Sequence, residues 1–116
     1  MKITPVIRSV LYAETGAYTD RDAYVSDLAL SSIWGEAEDA EIPAERLELL
    51  GRIWDCAHAT IPGLIAKYGL TQSGFARYFG IPLRTVQSWC LGERECPPYV
   101  VVMAAEILAT NHDIMA

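Results

Sequence analysis

Long apolar runs are missing from this chain. No stretch approaches the roughly 20 consecutive apolar residues that cross a bilayer, and no secretory signal pattern opens it, so a cytoplasmic location without membrane contact is expected. Basic residues are scarce as well: nine Lys and Arg stand against fifteen Asp and Glu, for a formal net charge of -6. That sign excludes a broad cationic coat of the kind that binds phosphate indiscriminately. Histidine occurs only at His58 and His112, with no recognisable nucleophile or acid neighbour in sequence, and there is no glycine-rich phosphate loop. Neither an enzyme nor a cofactor is expected. The three cysteines are an odd number in a chain without export signals, and read as reduced thiols. Cys56, His58, Cys90 and Cys96 would suffice chemically for zinc. Their spacing argues otherwise, because Cys56 and His58 stand two apart on an expected helix and point apart, while the interval from Cys90 to Cys96 matches no common zinc knuckle. No metal site is expected, and a redox switch between Cys90 and Cys96 is a minor alternative.

What is present is ample apolar content, 52% of 116 residues, enough for one compact domain or a small domain with an extension. Charge divides the chain. Residues 1–58 hold five basic and eleven acidic residues, and residues 59–116 hold four of each. The first part reads as an acidic, mainly helical extension. Thr4 and Pro5 open a helix with Ile3, Val6, Ile7, Val10 and Leu11 on its apolar side, closed at Gly16, although its β-branched residues also suit a short strand. A second helix is expected from Asp20 to Trp34, with Val25, Leu28, Ala29 and Ile33 on one face. Gly35 to Ile42 is an acidic loop, in which Glu36, Glu38, Asp39 and Glu41 read as solvated charge. Pro43 then opens a helix through His58 carrying Leu47, Leu50, Trp54 and Ala57, and another runs from Thr60, Ile61 and Pro62 to Gly69.

The densest local signal lies between Thr71 and Tyr99. Thr71 is a good N-cap, and Phe75, Ala76 and Phe79 follow at helical spacing. Gly80 can close that helix in the left-handed conformation. Pro82 suits the first turn of the next, where its missing N–H has no acceptor to forfeit. Val86 and Trp89 give this second helix, Pro82 to Leu91, an apolar edge, and Gly92 ends it. Phe75, Phe79, Val86 and Trp89 read as core that sets the angle between the two helices.

From about Ile61 to Leu108, somewhat under half the chain, these features together resemble the Cro and phage-repressor (XRE) family of helix-turn-helix proteins. The marks are Thr71-Gln72, Phe75-Ala76, Gly80-Ile81-Pro82, Arg84-Thr85-Val86, and Trp89 with Gly92. The resemblance implies an all-α fold: a compact multi-helix bundle with a Cro/repressor-like helix-turn-helix core, residues 59–116, and an N-terminal helical extension, residues 1–58. It also implies a partner, double-stranded DNA, with the second motif helix in the major groove. By position Leu83, Arg84 and Ser88 match the principal base-facing sites, with Thr85 and Gln87 flanking them. Arg84 suits bidentate reading of guanine, Gln87 could read adenine in the same fashion, and Leu83 could meet a thymine methyl. Gln72 matches the phosphate-anchoring position at a helix N-terminus, and Arg77 and Arg94 are further phosphate candidates. The family pattern is departed from after Leu108, where no clear fifth helix follows, and the helix from Pro43 to His58 is a candidate for that place in the packing.

A neutral DNA-binding half makes few ion pairs, so modest affinity per copy is expected and a homodimer is the natural remedy. Pro97 to Thr110 carries Glu106 as its one charge and is apolar all round, so it must be covered on more than one side. Val100, Met103, Ala104 and Ile107 are expected to pack on the motif, leaving Val101, Val102, Ala105 and Leu108 for a second subunit or the N-terminal half. The function expected is a sequence-specific DNA-binding regulator, a dimeric repressor. The alternative is a protein-interaction module, such as an antitoxin or phage-encoded adaptor, whose acidic N-terminal half binds a toxin or other basic protein.

Overall fold

The computed structural model describes residues 3–35 and 41–115 and, of 112–115, the helical backbone alone. Most of the acidic loop, Glu36, Glu38 and Asp39 included, lies outside the described residues; Glu41 is exposed. Every regular element among the described residues is helical, so the fold is all-α. The chain divides into two compact units, Met1–Ala57 and His58–Ala116.

The first unit contains α1 (Pro5–Glu14), α2 (Arg21–Ala29) and α3 (Ala44–Ala57), with 3-10 turns at Thr15–Ala17 and Ser32–Trp34. Thr4 caps α1, its hydroxyl accepting from the Ile7 N–H at 3.2 Å, and the β-branched run is helix. Gly16 does not close it. The chain tightens into a 3-10 turn instead, where the Thr15 N–H and hydroxyl both donate to the Tyr12 carbonyl, the hydroxyl at 2.7 Å. The Leu11 carbonyl, at the same helix end, accepts from the Tyr24 hydroxyl at 2.7 Å. Tyr24 is fully buried against Tyr18 and Trp54. Burial pushes its pKa up to about 12.

The helix expected from Asp20 to Trp34 is broken at Leu30 and Ser31. Asp20 caps α2 through the Ala23 N–H at 2.9 Å, but Ser31 starts a separate turn by accepting from the Ile33 N–H at 3.2 Å. Serine competes with the helix backbone in this way. The Trp34 indole N–H donates to the Leu28 carbonyl at 2.8 Å and folds the turn back on α2.

On α3 the buried side holds Leu49, Leu50, Ile53 and Trp54; Leu50 and Trp54 are buried as expected, whereas Leu47 is exposed and Ala57 half-buried. Arg46, not Leu47, turns inward one turn before Leu50. Its guanidinium is buried, donates to the Ala29 carbonyl at 3.1 Å and stacks 4.3 Å from the Trp34 ring centroid. With position 46 turned inward, 47 turns out. The α3 helix packs on α1 and α2 as part of the first unit. Gly51 is buried under the Arg21 side chain, which crosses α3 to reach Asp55 with bonds of 3.0 and 3.2 Å.

The second unit contains α4 (Ile61–Lys67), α5 (Gln72–Phe79), α6 (Leu83–Leu91) and α7 (Pro98–Met115). Thr60 and Thr71 cap α4 and α5, accepting from the Gly63 and Gly74 N–H groups at 3.1 and 2.9 Å. Its buried residues are Ile61, Leu64, Phe75, Ala76, Val86, Ala104, Ala105 and Leu108. Each large one of these stabilises the fold by roughly 1.5–3 kcal/mol against exposure. Phe79 and Trp89, expected in the core, are half-buried at its edge.

On α7 Ala104 is buried as expected, but Met103 and Ile107, expected on the same side, are not. Ala104, Ala105 and Leu108 are buried, whereas Met103 and Ile107 are exposed. Helical spacing cannot choose between two apolar sides of one helix. The helix also continues past Leu108 to Met115.

Candidate nucleic-acid interface

The turn between α5 and α6 is set by local chemistry. Gly80 takes φ 68°, a left-handed value that costs glycine little. With that turn the Ile81 N–H reaches back to the Ala76 carbonyl at 2.9 Å, closing α5. Pro82, with φ -57° and ψ 135°, is the N-cap of α6 and not its first helical residue, one position later than expected. Three residues therefore separate two helices that pack on each other. Gly92, at φ 77°, closes α6, and the Glu93 N–H bonds the Ser88 carbonyl at 3.0 Å.

This local frame decides what α6 presents. Val86 is fully buried, which fixes the rotation of the helix about its axis. Arg84 and Gln87 are then exposed on the outer side, and Leu83 is exposed at the first turn. Thr85 and Ser88 are half-buried, so they present less of themselves than Arg84 and Gln87 do. Leu91 is a residue that the sequence reading left out. It continues the line of Arg84 and Gln87 at helical spacing and is highly exposed. That spacing was the signal available for it.

Gln72 is the first residue of α5 and is exposed. Thr71 satisfies the Gly74 N–H, while the first N–H groups of α5 have no intrahelical acceptor, an arrangement that favours an anion. Arg77 is exposed in the last turn of α5, near the Gly80 turn, where a cation also complements the carbonyl end of the helix. Arg94 is exposed beyond the other end of α6, between Glu93 and Glu95, with its N–H 3.4 Å from the Ser88 carbonyl. From Arg84 to the end of α6 at Leu91 is roughly 10 Å of helix. Arg77 thus stands in the last turn of α5 and Leu83, Arg84 and Gln87 in the first half of α6, while Gln72 begins α5 and Arg94 follows α6.

Exposed tyrosine adds to the turn region. Tyr78 is partly exposed and packs edge-on against Phe79, with ring centroids 4.8 Å apart.

None of the three cysteines is in a disulfide; Cys56 is buried and Cys90 and Cys96 are half-buried. Burial pushes both half-buried thiols up, away from the reactive thiolate. Among the described residues no three His, Cys, Asp or Glu side chains gather as a metal site would require. No described helix is long and apolar enough to cross a membrane. In the first unit an open groove of about 360 Å³ is lined by Ile3, Arg8, Glu45, Glu48, Leu49 and Arg52, with charges of both signs. The first unit holds five basic and eleven acidic residues and the second four of each.

Comparison of the chain with protein-family models, curated proteins and solved structures gave no match.

Proposed function

We propose that this protein is a sequence-specific DNA-binding regulator of transcription, a dimeric repressor that presents α6 to the major groove. The observation that carries the reading is the outer surface of α6. Arg84 and Gln87 stand exposed there, opposite the fully buried Val86, on a helix hung from a tight three-residue turn. Arg84 reads guanine, Gln87 reads adenine or bonds a phosphate, and Leu83 meets a thymine methyl. Gln72 and Arg77 anchor the backbone. Thr85, Ser88 and Arg94 contribute less, the first two because they are half-buried and Arg94 because two glutamates flank it. The reading is of a binding protein, not an enzyme, working in the cytoplasm.

Selection of bound sequences from random duplexes, run at low and moderate salt, tests it. One motif is enriched, and Arg84→Ala weakens binding to that motif about 5- to 150-fold, the equivalent of 1–3 kcal/mol, while relaxing preference at one position. Failure of the folded wild-type protein to enrich any motif refutes the proposal, as does unchanged binding by Arg84→Ala.

The charge division favours one second reading. A first unit with a net charge of -6 suits a basic protein partner, such as the toxin of an antitoxin pair, with DNA binding secondary. A failed selection together with salt-sensitive binding to such a partner would establish it.

A further inference from the structure

We infer that Leu83 and Arg84 together read a pyrimidine 5-methyl group beside a guanine, so that methylation of cytosine at that place raises the affinity of this protein for its site. This regulation rests on the DNA-binding reading above and extends it.

Three side chains of different chemistry meet on the surface of α6. Leu83 and Gln87 stand four residues apart and Arg84 and Gln87 three apart, so each pair is neighbouring on the helix surface. All three are exposed, Leu83 by 39%. An apolar group, a guanidinium and an amide therefore share one patch at the start of the helix.

The charge around that patch suits DNA. No Asp or Glu lies between Asp55 and Glu93, whereas Lys67, Arg77 and Arg84 do, so the stretch is cationic within a chain whose net charge is -6. The helices packed on α6, α4 and α5, supply no carboxylate to compete for the Arg84 guanidinium.

The chemistry of the major groove makes this patch a reader of two neighbouring base pairs. A guanidinium bonds the O6 and N7 of guanine together. Successive Cα atoms stand about 3.8 Å apart, close to the roughly 3.4 Å between stacked base pairs. With Arg84 on guanine, Leu83 falls at an adjacent pair. A leucine side chain neither donates nor accepts a hydrogen bond, so it does not tell the O4 of thymine from the N4 amine of cytosine. What it gains there is apolar contact with a 5-methyl group. Thymine carries that methyl already, and cytosine acquires it on methylation at C5. Thymine and 5-methylcytosine are thus equivalent to Leu83, and unmethylated cytosine is disfavoured. A DNA cytosine methyltransferase thereby switches on a site that holds cytosine at this place, with no change in the protein.

The step is small for one copy. Burial of one methyl group raises affinity about fourfold. Where two copies bind a symmetric site the effect enters twice, for roughly 16-fold.

Fluorescence anisotropy with duplexes that differ by a single methyl group tests the inference. Arg84→Ala first locates the guanine, as the position of the selected motif whose preference it relaxes. In the base pairs flanking that guanine, thymine is compared with uracil opposite adenine, and 5-methylcytosine with cytosine opposite guanine. At one flanking pair the methylated member of each couple binds the wild type about fourfold more tightly. Leu83→Ala removes both differences, Leu83→Met keeps them, and Tyr99→Ala, which strips an exposed ring from α7, changes neither. The comparison of thymine with uracil alters the DNA alone, so it decides the matter even if a Leu83 variant folds poorly. Equal binding of methylated and bare members at both flanking pairs overturns the inference, as does a methyl effect that survives in folded Leu83→Ala. If a motif that depends on Arg84 is enriched without any methyl effect, the DNA reading stands and this inference falls; if no motif is enriched, both fall.

Discussion

Gly51 offers a perturbation whose sign depends on a single neighbour. It lies in the interior of α3, where alanine is favoured over glycine by about 0.8–1.0 kcal/mol. A Cβ there would run into the Arg21 guanidinium, and the atoms it meets are the far end of a flexible side chain, not backbone. Arg21 must then swing away and give up its two bonds to Asp55. Those side chains are 49% and 45% exposed, so solvent screens the pair and its loss costs only about 0.2–1 kcal/mol. Gly51→Ala alone is therefore expected to lie between neutral and about 0.8 kcal/mol stabilising. In an Arg21→Ala background the collision is gone, and the same change stabilises by the full ~1 kcal/mol. The assay is a double-mutant cycle by urea unfolding, with a coupling energy of about 0.2–1 kcal/mol. Destabilisation by more than about 1 kcal/mol in both backgrounds would mean that the methyl meets something stiffer than Arg21, and would refute the reasoning.

Other expectations follow from features of the two units. Tyr24→Phe leaves the buried Leu11 carbonyl without its donor and costs about 1–3 kcal/mol in denaturant unfolding. Because the Tyr24 hydroxyl is held protonated to about pH 12, above its ordinary 10.0, the folded state binds the proton more tightly than the unfolded one. Its contribution is complete below pH 10.0 and fades as pH rises toward 12, and a spectroscopic tyrosine titration should lose one late-titrating group in Tyr24→Phe. Gly80→Ala forces a side chain into a left-handed position and should cost about 1–2 kcal/mol, read from the thermal transition of the second unit. Lys67, Arg77, Arg84 and Arg94 are the four cations of the second unit. A plot of log affinity against log salt should be no steeper than about -3.6 per copy, and a markedly steeper slope would show that phosphate contacts come from elsewhere.

The all-helical class and most helix ends were legible because they are written in local chemistry. Thr4, Thr60 and Thr71 are caps and Gly69, Gly80 and Gly92 are left-handed closures, each needing information from only a few residues. What was not legible depended on distant partners. Tyr24 looks amphipathic in sequence, and its burial rests on a carbonyl thirteen residues earlier. Arg46 looks like a surface cation, yet it is drawn inward to the Ala29 carbonyl and the Trp34 ring, while Leu47 beside it is exposed. For α7 the periodicity was present but ambiguous, since both sides were apolar. On α6 the buried Val86 made the exposure of Arg84 foreseeable, whereas the half-burial of Ser88, four residues on along the same side as Arg84, was not legible from spacing.

The division into residues 1–57 and 58–116 also supplies a locator for whatever the protein binds. A unit of this size buries only about 60% of its unfolded surface, and its own core provides just a few kcal/mol. A bound partner at one hundred times its dissociation constant adds about 2.7 kcal/mol, a large fraction of that, and adds it first to the unit it touches. Trp34 and Trp54 belong to the first unit and Trp89 to the second. Tryptophan fluorescence in a Trp89→Phe variant, set beside a Trp34→Phe/Trp54→Phe variant, would therefore report which half of the chain a nucleic acid or a protein has steadied.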